Sequence, residues 1–301
     1  MKRLAVIVLN WNGLADTHAL LDSLALCRLP AGWTLWTIVV DNGSSDGSAA
    51  ALSTRDGIEL VALPENRMSA GGNNAGLERA LAGGAAAIAL LNNDTVADAG
   101  LFERLLLALE QDPGAGAAGP LIYYGPPSDL IWYAGGACHP GIAASWHRGI
   151  RTRDEGQYRV VESTGYLTGC CLLAMRQVWE RVGMLDERYY IYAEDGDWSL
   201  RVRALGLRLL FVPTARLWHK VSSSTGNESP WKIYHRVRAN LRLCQLHARG
   251  LGRWSWAPFS LVMNSALAAW LLLRGHPAAA SSVPRAYWDA MRGISPGEAM
   301  P

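Results

Sequence analysis

Three apolar runs in this chain stop abruptly at amides and acids, and that pattern limits the fold more than any other feature. "LAVIVLNWNG" (4–13) ends in Asn10 and Asn12, "TIVVDNGSSDGS" (37–48) in Asp41 and Asn42, and "IALLNNDT" (88–95) in Asn92, Asn93 and Asp94. Short unbroken apolar runs suit strands buried on both faces, as in a parallel sheet covered by helices. Helical segments fall between them, near 15–27, 46–54, 72–83 and 99–111, and a further strand is expected at 58–63. This alternation implies an α/β fold whose ligands bind beyond the carboxyl ends of the strands, where the polar clusters lie. Three strands ending in polar side chains then make three contributions to one site.

The rest of the chain is less regular. "QDPGAGAAGP" (111–120) reads as a turn-rich break, and the aromatic, glycine-rich residues 121–149 as irregular strands and loops. A helix is expected from about 195, with Gly206 as its C-cap, followed by the strand "LRLLFVP" (207–213). The last hundred residues read as helical, and "APFSLVMNSALAAWLLL" (257–273) is their most apolar run.

The net charge of +2 conceals an asymmetry: residues 1–200 carry 14 Lys+Arg against 23 Asp+Glu, and residues 201–301 carry 14 against 3, or −9 and +11. The acidic part can hold a cation, and the basic part seeks an anionic partner. Trp and Leu residues beside those arginines suit an anionic membrane surface or a phosphorylated lipid better than nucleic acid. Residues 257–273 would make about 25 Å of helix at ~1.5 Å per residue, where a bilayer core asks for ~20 residues, and Asn264 interrupts them. The expectation is therefore an interfacial helix, on a cytoplasmic protein peripheral at the inner face of the membrane. The five cysteines show no metal spacing, and Cys170 and Cys171 adjoin within an apolar run, which fits a reducing compartment. The first apolar run is short for a signal peptide.

The chemistry concentrates in a few stretches. Neither the glycine fingerprint of dinucleotide folds nor a Walker loop follows the first strand, where "NWNG" has one glycine. A strand-end carboxylate such as Asp41 can accept a hydrogen bond from the imide N–H of a base, with Ser44 or Ser45 as the next helix's N-cap. "ENRMSAGGNNAGL" (65–77) offers Gly72 and its neighbour for close backbone approach, with Asn66, Asn73 and Asn74 as polar contacts. "NND" (92–94) presents hard oxygen donors with one carboxylate, Asp94; Mg²⁺ or Mn²⁺ takes its other ligands from phosphates and water. The same stretch also fits an Asx turn that begins a helix at Thr95. "YYIYAEDGDWSLR" (189–201) crowds Glu194, Asp195 and Asp197 into four positions at a helix start. Such crowding raises a carboxylate's pKa toward that of a useful base unless a cation or the helix dipole compensates. "RLWHKVSSST" (216–225) adds His219 as a candidate ligand, followed by Lys220 and hydroxyls. Singly, several of these are ordinary turns before capped helices.

Together they resemble the inverting family 2 glycosyltransferases of the GT-A fold, especially bacterial rhamnosyltransferase-like members. The resemblance runs from about residue 4 to 247 and includes "VIVLNWNG", "VVDNGSSDGS", "NRMSAGGNNAGL", "LLNNDT", "TGCCLLAMR", "GMLDERYYIYAEDGDWSLRVRALG", "LWHKVSSSTG" and "YHRVRANL", in the expected order. It implies a Rossmann-like, mostly parallel sheet flanked by helices over 1–225, with a C-terminal helical extension over 226–301 facing membrane or acceptor. The activity implied is transfer of a sugar, rhamnose among the candidates, from a nucleoside-diphosphate-sugar to a hydroxyl of a saccharide or lipid-linked saccharide, in cell-surface polysaccharide or glycolipid assembly. By that resemblance Asp41 contacts the base and Asp94 holds the Mg²⁺ or Mn²⁺ that bridges the donor diphosphate. Asp195, beside Glu194, is the general base, and His219 completes the metal site; Asn10, Asn12, Asn66, Gly72, Asn73, Asn92 and Asn93 line the nucleotide-sugar seat. Two departures stand out. The metal motif is Asn-Asn-Asp rather than Asp-x-Asp, and "RGLGRW" (249–254) has Gly250 where processive members carry Gln, which points to single addition. A nucleotidyltransferase and a non-catalytic sugar- or lipid-binding scaffold are the competing readings.

Overall fold

The computed structural model describes residues 1–221 and 229–299. Its strands are β1 (Lys2–Asn10), β2 (Trp33–Asn42), β3 (Ile58–Leu63), β4 (Ala87–Asn92), β5 (Thr95–Ala97), β6 (Ala115–Tyr124), β7 (Ile131–Tyr133), β8 (Gly136–His139), β9 (Ala144–His147), β10 (Glu162–Thr164), β11 (Cys171–Met175) and β12 (Arg208–His219). Its main helices are α1 (Leu14–Leu24), α2 (Ser48–Ser53), α3 (Met68–Ala82), α4 (Leu101–Gln111), α5 (Arg176–Val182), α6 (Glu194–Ala204), α7 (Pro230–His247), α8 (Gly252–Leu273) and α9 (Pro277–Met291). The large sheet has the order β10-β12-β6-β11-β4-β1-β2-β3, with β5 on β12 and β7 on β6, while β8 and β9 form a separate hairpin. The long ladders β1–β2, β1–β4, β2–β3 and β6–β12 are parallel; β11 enters antiparallel between β4 and β6.

Both faces of this sheet are covered, which explains the unbroken apolar runs. Leu4, Val6 and Val8 of β1 point to one side, against Leu20 and Leu24 of α1 and Phe102 and Leu105 of α4. Ala5 and Ile7 point to the other, against Leu77 of α3, Trp179 of α5 and Trp198 of α6. A polar side chain can leave such strands only at their ends. The register brings those ends together, with Asn10 opposite Asp41 and Leu9 opposite Asn92. β1 lies between β2 and β4, so the chain's crossovers diverge at that point and open a crevice there.

The expected break at 111–120 is not a break. Residues 115–124 form β6, buried along most of its length. Its small residues answer to neighbours rather than to a turn: a Cβ at Gly116 would stand 2.5 Å from Val202 Cγ1, and one at Gly119 2.8 Å from Leu167 Cδ2. Glycine weakens a strand locally, but close approach of another element can require it. β12 likewise outruns the expected strand, passing Pro213 to His219. That extension pairs His219 with Thr95, so Thr95 opens a short strand and not a helix. At α2, Asp46 rather than Ser44 or Ser45 accepts the Ser48 N–H, at 3.0 Å.

The C-terminal helices are attached to this body. α7, α8 and α9 share a small core that includes Tyr234, Val237, Leu271 and Val283. On its other side α7 gives Ala239 and Leu243 to the main core, and Asn240 Nδ2 donates to Ala143 O at 3.1 Å. The expected boundary at 225/226 lies outside the described residues. α8 has 22 residues, and at ~1.5 Å per residue it is about 33 Å long, more than the apolar run suggested. Asn264 does not interrupt it, because its amide donates to Ser260 Oγ (3.1 Å) and Tyr287 OH (3.0 Å).

The packing at Gly116 is open to direct measurement. Gly116→Ala should lower stability by about 1–3 kcal/mol through overpacking, seen as a lower urea midpoint at unchanged slope. Gly125→Ala, where an added Cβ meets nothing within 4 Å, is the control and should be near neutral. A Gly116→Ala protein as stable as the parent would show that β6 tolerates side chains at this position.

Candidate active site

At the carboxyl edge of the sheet the polar side chains bond to one another first. Asn10 Nδ2 donates to Asp41 Oδ1 (2.8 Å) and Ser44 Oγ (3.2 Å), and Asn10 Oδ1 accepts from Thr17 Oγ1 (2.8 Å). Asp41 Oδ2 accepts from Ser44 N at 3.1 Å. Asn93 Nδ2 joins through Thr17 Oγ1 (3.1 Å) and Asn10 Oδ1 (3.4 Å). Asn10 and Asp41 are buried, so in this conformation they brace the loops after β1 and β2 and present no open face. Buried polar groups satisfied in this way stiffen the loops that carry them. Asn12 adds a second brace: its backbone, at φ 51°, donates to Ser44 Oγ (2.9 Å), and its Oδ1 accepts from Ser45 N (2.8 Å). Asn92 is exposed and Asp94 half-buried on the open side.

The segment before α3 is built similarly. Asn66 Oδ1 accepts from Asn42 Nδ2 (2.9 Å) and Met68 N (2.8 Å). Asn73 Nδ2 donates to Ser69 O within its own helix (2.8 Å), and Asn74 is turned to Leu185, bonding its N–H and C=O. Gly72 departs from its expected use. A Cβ there would lie 2.4 Å from Leu9 Cδ1, so its smallness admits the sheet beneath α3.

Asp94 and His219 meet because β5 pairs with the end of β12. His219 Nε2 lies 3.1 Å from Asp94 Oδ1, and Lys220 N donates to Asp94 O at 2.9 Å. His219 Nδ1 is buried with no partner among the described residues, and the ring stands edge-on to Trp132 with centroids 4.6 Å apart. Among the described residues no group of three or more His, Cys, Asp or Glu side chains could hold a metal ion. A carboxylate and an imidazole nevertheless fit a cation that takes its remaining ligands from phosphate and water. Lys220 Nζ pairs with Asp16 Oδ1 (2.6 Å); Ser222, Ser223, Ser224 and Thr225 lie outside the described residues.

The three clustered acids separate by environment. Tyr190, Tyr192 and Ala193, just before α6, all have φ between 64° and 69°, a left-handed conformation that costs about 1–3 kcal/mol per non-glycine residue and collects at functional sites. After that turn, Asp195 Oδ2 accepts from Gly169 N (2.8 Å) and Tyr166 OH (3.1 Å), and Oδ1 from Gly196 N (2.7 Å). An ionised carboxylate has about four acceptor positions, so a fixed Asp195 keeps one. It faces a cleft of about 1050 Å³. Glu194 turns away from that cleft: Ser69 Oγ donates to its Oε1 (2.6 Å), while its buried Oε2 has no partner among the described residues. Burial, and then the charge of Asp195, push its carboxyl up to about 7. Asp197 faces inward, bonded to His247 Nε2 (2.6 Å), Arg201 Nε (2.8 Å) and Tyr189 OH (3.3 Å). Burial opposes its charge, yet His247 and Arg201 hold its carboxyl below the ordinary range.

Three residues that sequence reasoning missed connect the two clusters. Tyr166 OH, besides meeting Asp195, lies 3.4 Å from His147 Nε2, and His147 Nδ1 lies 3.2 Å from Trp132 O. The Trp132 ring is edge-on to both His147 and His219, at 4.6 Å each. A continuous line of contacts thus runs from Asp94 to Asp195. The buried Cys170 thiol is pushed well up, by burial first and then by neighbouring charges that include both acids. The only sequence signal for Trp132 and His147 was the aromatic density of 121–149, which has no period to say which rings point inward.

A family model described as Glycosyl transferase family 2 matches residues 6–183. An N-acetylglucosaminyl-diphospho-decaprenol L-rhamnosyltransferase of Mycobacterium tuberculosis is 29% identical over 274 residues, 82% of this chain and 84% of that protein. Among solved structures, GalNAc-T7 with UDP, GalNAc and Mn²⁺ is similar with a TM-score of 0.60 at 16% identity, over 79% of this chain and 47% of that one. The mannosyltransferase PcManGT from Pyrobaculum calidifontis, in complex with GDP-Man and Mn²⁺, gives 0.57 at 17% identity, over 96% of this chain and 86% of that one. At these identities the structural likeness speaks for the fold alone, and that fold is the expected GT-A arrangement with added C-terminal helices. With a family model matched over more than half of its length, the chain belongs to glycosyltransferase family 2.

Proposed function

We propose that this chain moves a sugar from a nucleoside-diphosphate-sugar to a hydroxyl of a saccharide or lipid-linked saccharide, with inversion at the anomeric carbon. The similarity to a rhamnosyltransferase makes rhamnose the first sugar to test and cell-surface polysaccharide assembly the setting. One observation carries the reading: Asp195 is held by three hydrogen bonds on the wall of a cleft and joined by packed side chains to the Asp94–His219 pair. The acceptor oxygen attacks the anomeric carbon from the face opposite the leaving group as Asp195 takes its proton. The bond from that carbon to the donor phosphate breaks, and its electron pair leaves with the nucleoside diphosphate. Asp94 and His219 would hold a divalent cation with the donor; such an ion neutralises charge on the departing phosphate. The floor of the seat is Asn10, Asp41 and Asn93, its open rim Asn12 and Asn92, and its α3 side is shaped by Asn66, Gly72 and Asn73. Amides in most of these places add no negative charge beside a diphosphate.

The same reading sets the protein on the inner face of a membrane through residues 226–301. α8 leaves Trp254 81% and Leu273 90% exposed, and it is the one helix among the described residues long and apolar enough to cross a bilayer by length and composition. Its other face is tied to α9 through Ser260, Asn264 and Tyr287. A helix bonded side-on to the body can lie in an interface, whereas crossing would carry α9 into the hydrocarbon.

Asp195→Asn preserves size and most hydrogen bonds but cannot take the proton. A general base contributes ~10²–10⁴-fold, so kcat should fall at least about 100-fold while donor binding persists; near-normal turnover would remove Asp195 from the role. Excess chelator should abolish transfer, and added Mn²⁺ or Mg²⁺ should restore it. Full activity in chelator would instead leave charge stabilisation to cationic side chains. Glu194 supplies a test without substrate. Its folded pKa is raised, so its contribution to stability is complete below the unfolded value near 4.5 and is lost as pH rises through about 7. Glu194→Gln should remove that loss, and its Tm relative to the parent should climb between pH 5 and pH 8. Parallel Tm curves would mean that Glu194 is not buried as described.

A further inference from the structure

We propose that a second cavity, lined by Arg188, Arg238 and Arg242, is a binding site for a phosphate-bearing anion. The cavity has a volume of about 480 Å³ and lies among the Glu187–Tyr189 turn, α7 and the residues that follow α9. It shares only Ala239 with the cleft that Asp195 lines, and no residue of α8 reaches it. Its α7 wall comes from local spacing: Arg238, Leu241, Arg242 and Gln245 recur at helical intervals and so share one face. Alternate α7 residues, Ala239 and Leu243, go to the main core instead. Arg188 and Ile294 complete the wall from outside that helix.

The ion pairs around this cavity do not balance. Glu187, the one acid in its lining, is turned to Arg67 Nη2 (3.1 Å) and Asn74 Nδ2 (3.0 Å). Asp186 serves two guanidinium groups, Arg188 through Nε (2.8 Å) and Arg242 through Nη2 (3.3 Å). Arg238 makes no ion pair among the described residues; its donors meet the carbonyls of Ile294 (2.5 Å) and Ala286 (3.5 Å). Arg242 Nε is buried with no partner among the described residues. Arg67, Arg188, Arg238 and Arg242 thus face Asp186 and Glu187, a surplus of two positive charges within this network. Partly buried like charges repel, and a buried donor left unmade is costly. A phosphate group carries about −1.5 to −2 at neutral pH and three acceptor oxygens, which matches that surplus, whereas one carboxylate would meet half of it. Guanidinium groups suit such an oxyanion through charge-assisted hydrogen bonds. Tyr190, also in the wall, is the first of the left-handed residues before α6, so an anion held here braces the approach to Asp195.

Calorimetric titration of the full chain with inorganic phosphate tests this, at fixed pH and ionic strength and in excess chelator so that no metal draws phosphate to the Asp94–His219 pair. Phosphate should bind at one site and more tightly than acetate. Arg238→Gln and, separately, Arg188→Gln should each weaken it by at least about tenfold, the loss of one charge-assisted contact. Arg236→Gln, whose side chain lines the other cleft, should bind phosphate as the parent does. Arg238 also holds the end of α9, so its variant is checked by melting; the Arg188 side chain is 72% exposed, and its removal leaves the packing intact. The proposal is overturned if phosphate binds no better than acetate, if Arg188→Gln binds it as the parent does, or if Arg236→Gln loses as much. Vesicles containing phosphatidic acid then identify the source of the phosphate: displacement of the bound ion assigns the site to a lipid headgroup, and its retention to a phosphate in solution.

Discussion

A sheet covered on both faces has nowhere to put a polar side chain except at its ends, and the site follows from that constraint. Leu4 through Val8 are wholly buried, so the first hydrogen-bonding side chain of β1 after that run is Asn10. Its in-register neighbour is Asp41, and the two are joined by a 2.8 Å hydrogen bond. That bond brings in Ser44 and Thr17, and Thr17 brings in Asn93. The loops that carry the outward-facing Asn12, Asn92 and Asp94 are thereby set on a rigid polar floor. Much of what looked like ligand contact in the sequence is scaffolding for the contacts around it.

The acid cluster shows how environment assigns different work to chemically equal groups. Glu194, Asp195 and Asp197 fall within four consecutive positions, yet the helix turns them in different directions. Asp197 faces the interior and is neutralised by Arg201 and His247. Glu194 is buried without a cation among the hydrogen bonds it makes, so its carboxyl is displaced upward. Asp195 is held by backbone and tyrosine donors and keeps its remaining acceptor position toward the cleft. The left-handed residues that precede α6 fix the helix start from which this division follows.

The C-terminal helices give the catalytic body a direction. α7 contributes to both the main core and the three-helix core, which ties the apolar face of α8 to the acid-lined end of the cleft. Arginines lie over the outer tryptophans, Arg274 above Trp270 at 4.8 Å and Arg292 above Trp288 at 5.5 Å. Such pairs set a guanidinium against the face of an aromatic ring. Under the function proposed above, a basic, aromatic surface beside the cleft that Asp195 lines suits a reaction performed at the edge of a bilayer.

The sequence by itself determined the parallel sheet, the edge where its polar strand ends gather and the residue types that stand there. Those features rest on local periodicity and on polar residues at strand ends, both of which a single strand displays. The family resemblance added roles for Asp94, Asp195 and His219. Only the tertiary structure decided which polar groups are braces, because whether Asn10, Asp41 or Asn93 faces a ligand depends on partners tens of residues away. It likewise turned Gly116 and Gly119 from apparent turn residues into sites of close packing, since the atoms that exclude a side chain there belong to Val202 and Leu167. The line through Trp132, His147 and Tyr166 was equally hidden, because an irregular aromatic stretch has no period from which to read direction. Contacts between distant segments are made by the fold, and those contacts decided how the site is assembled.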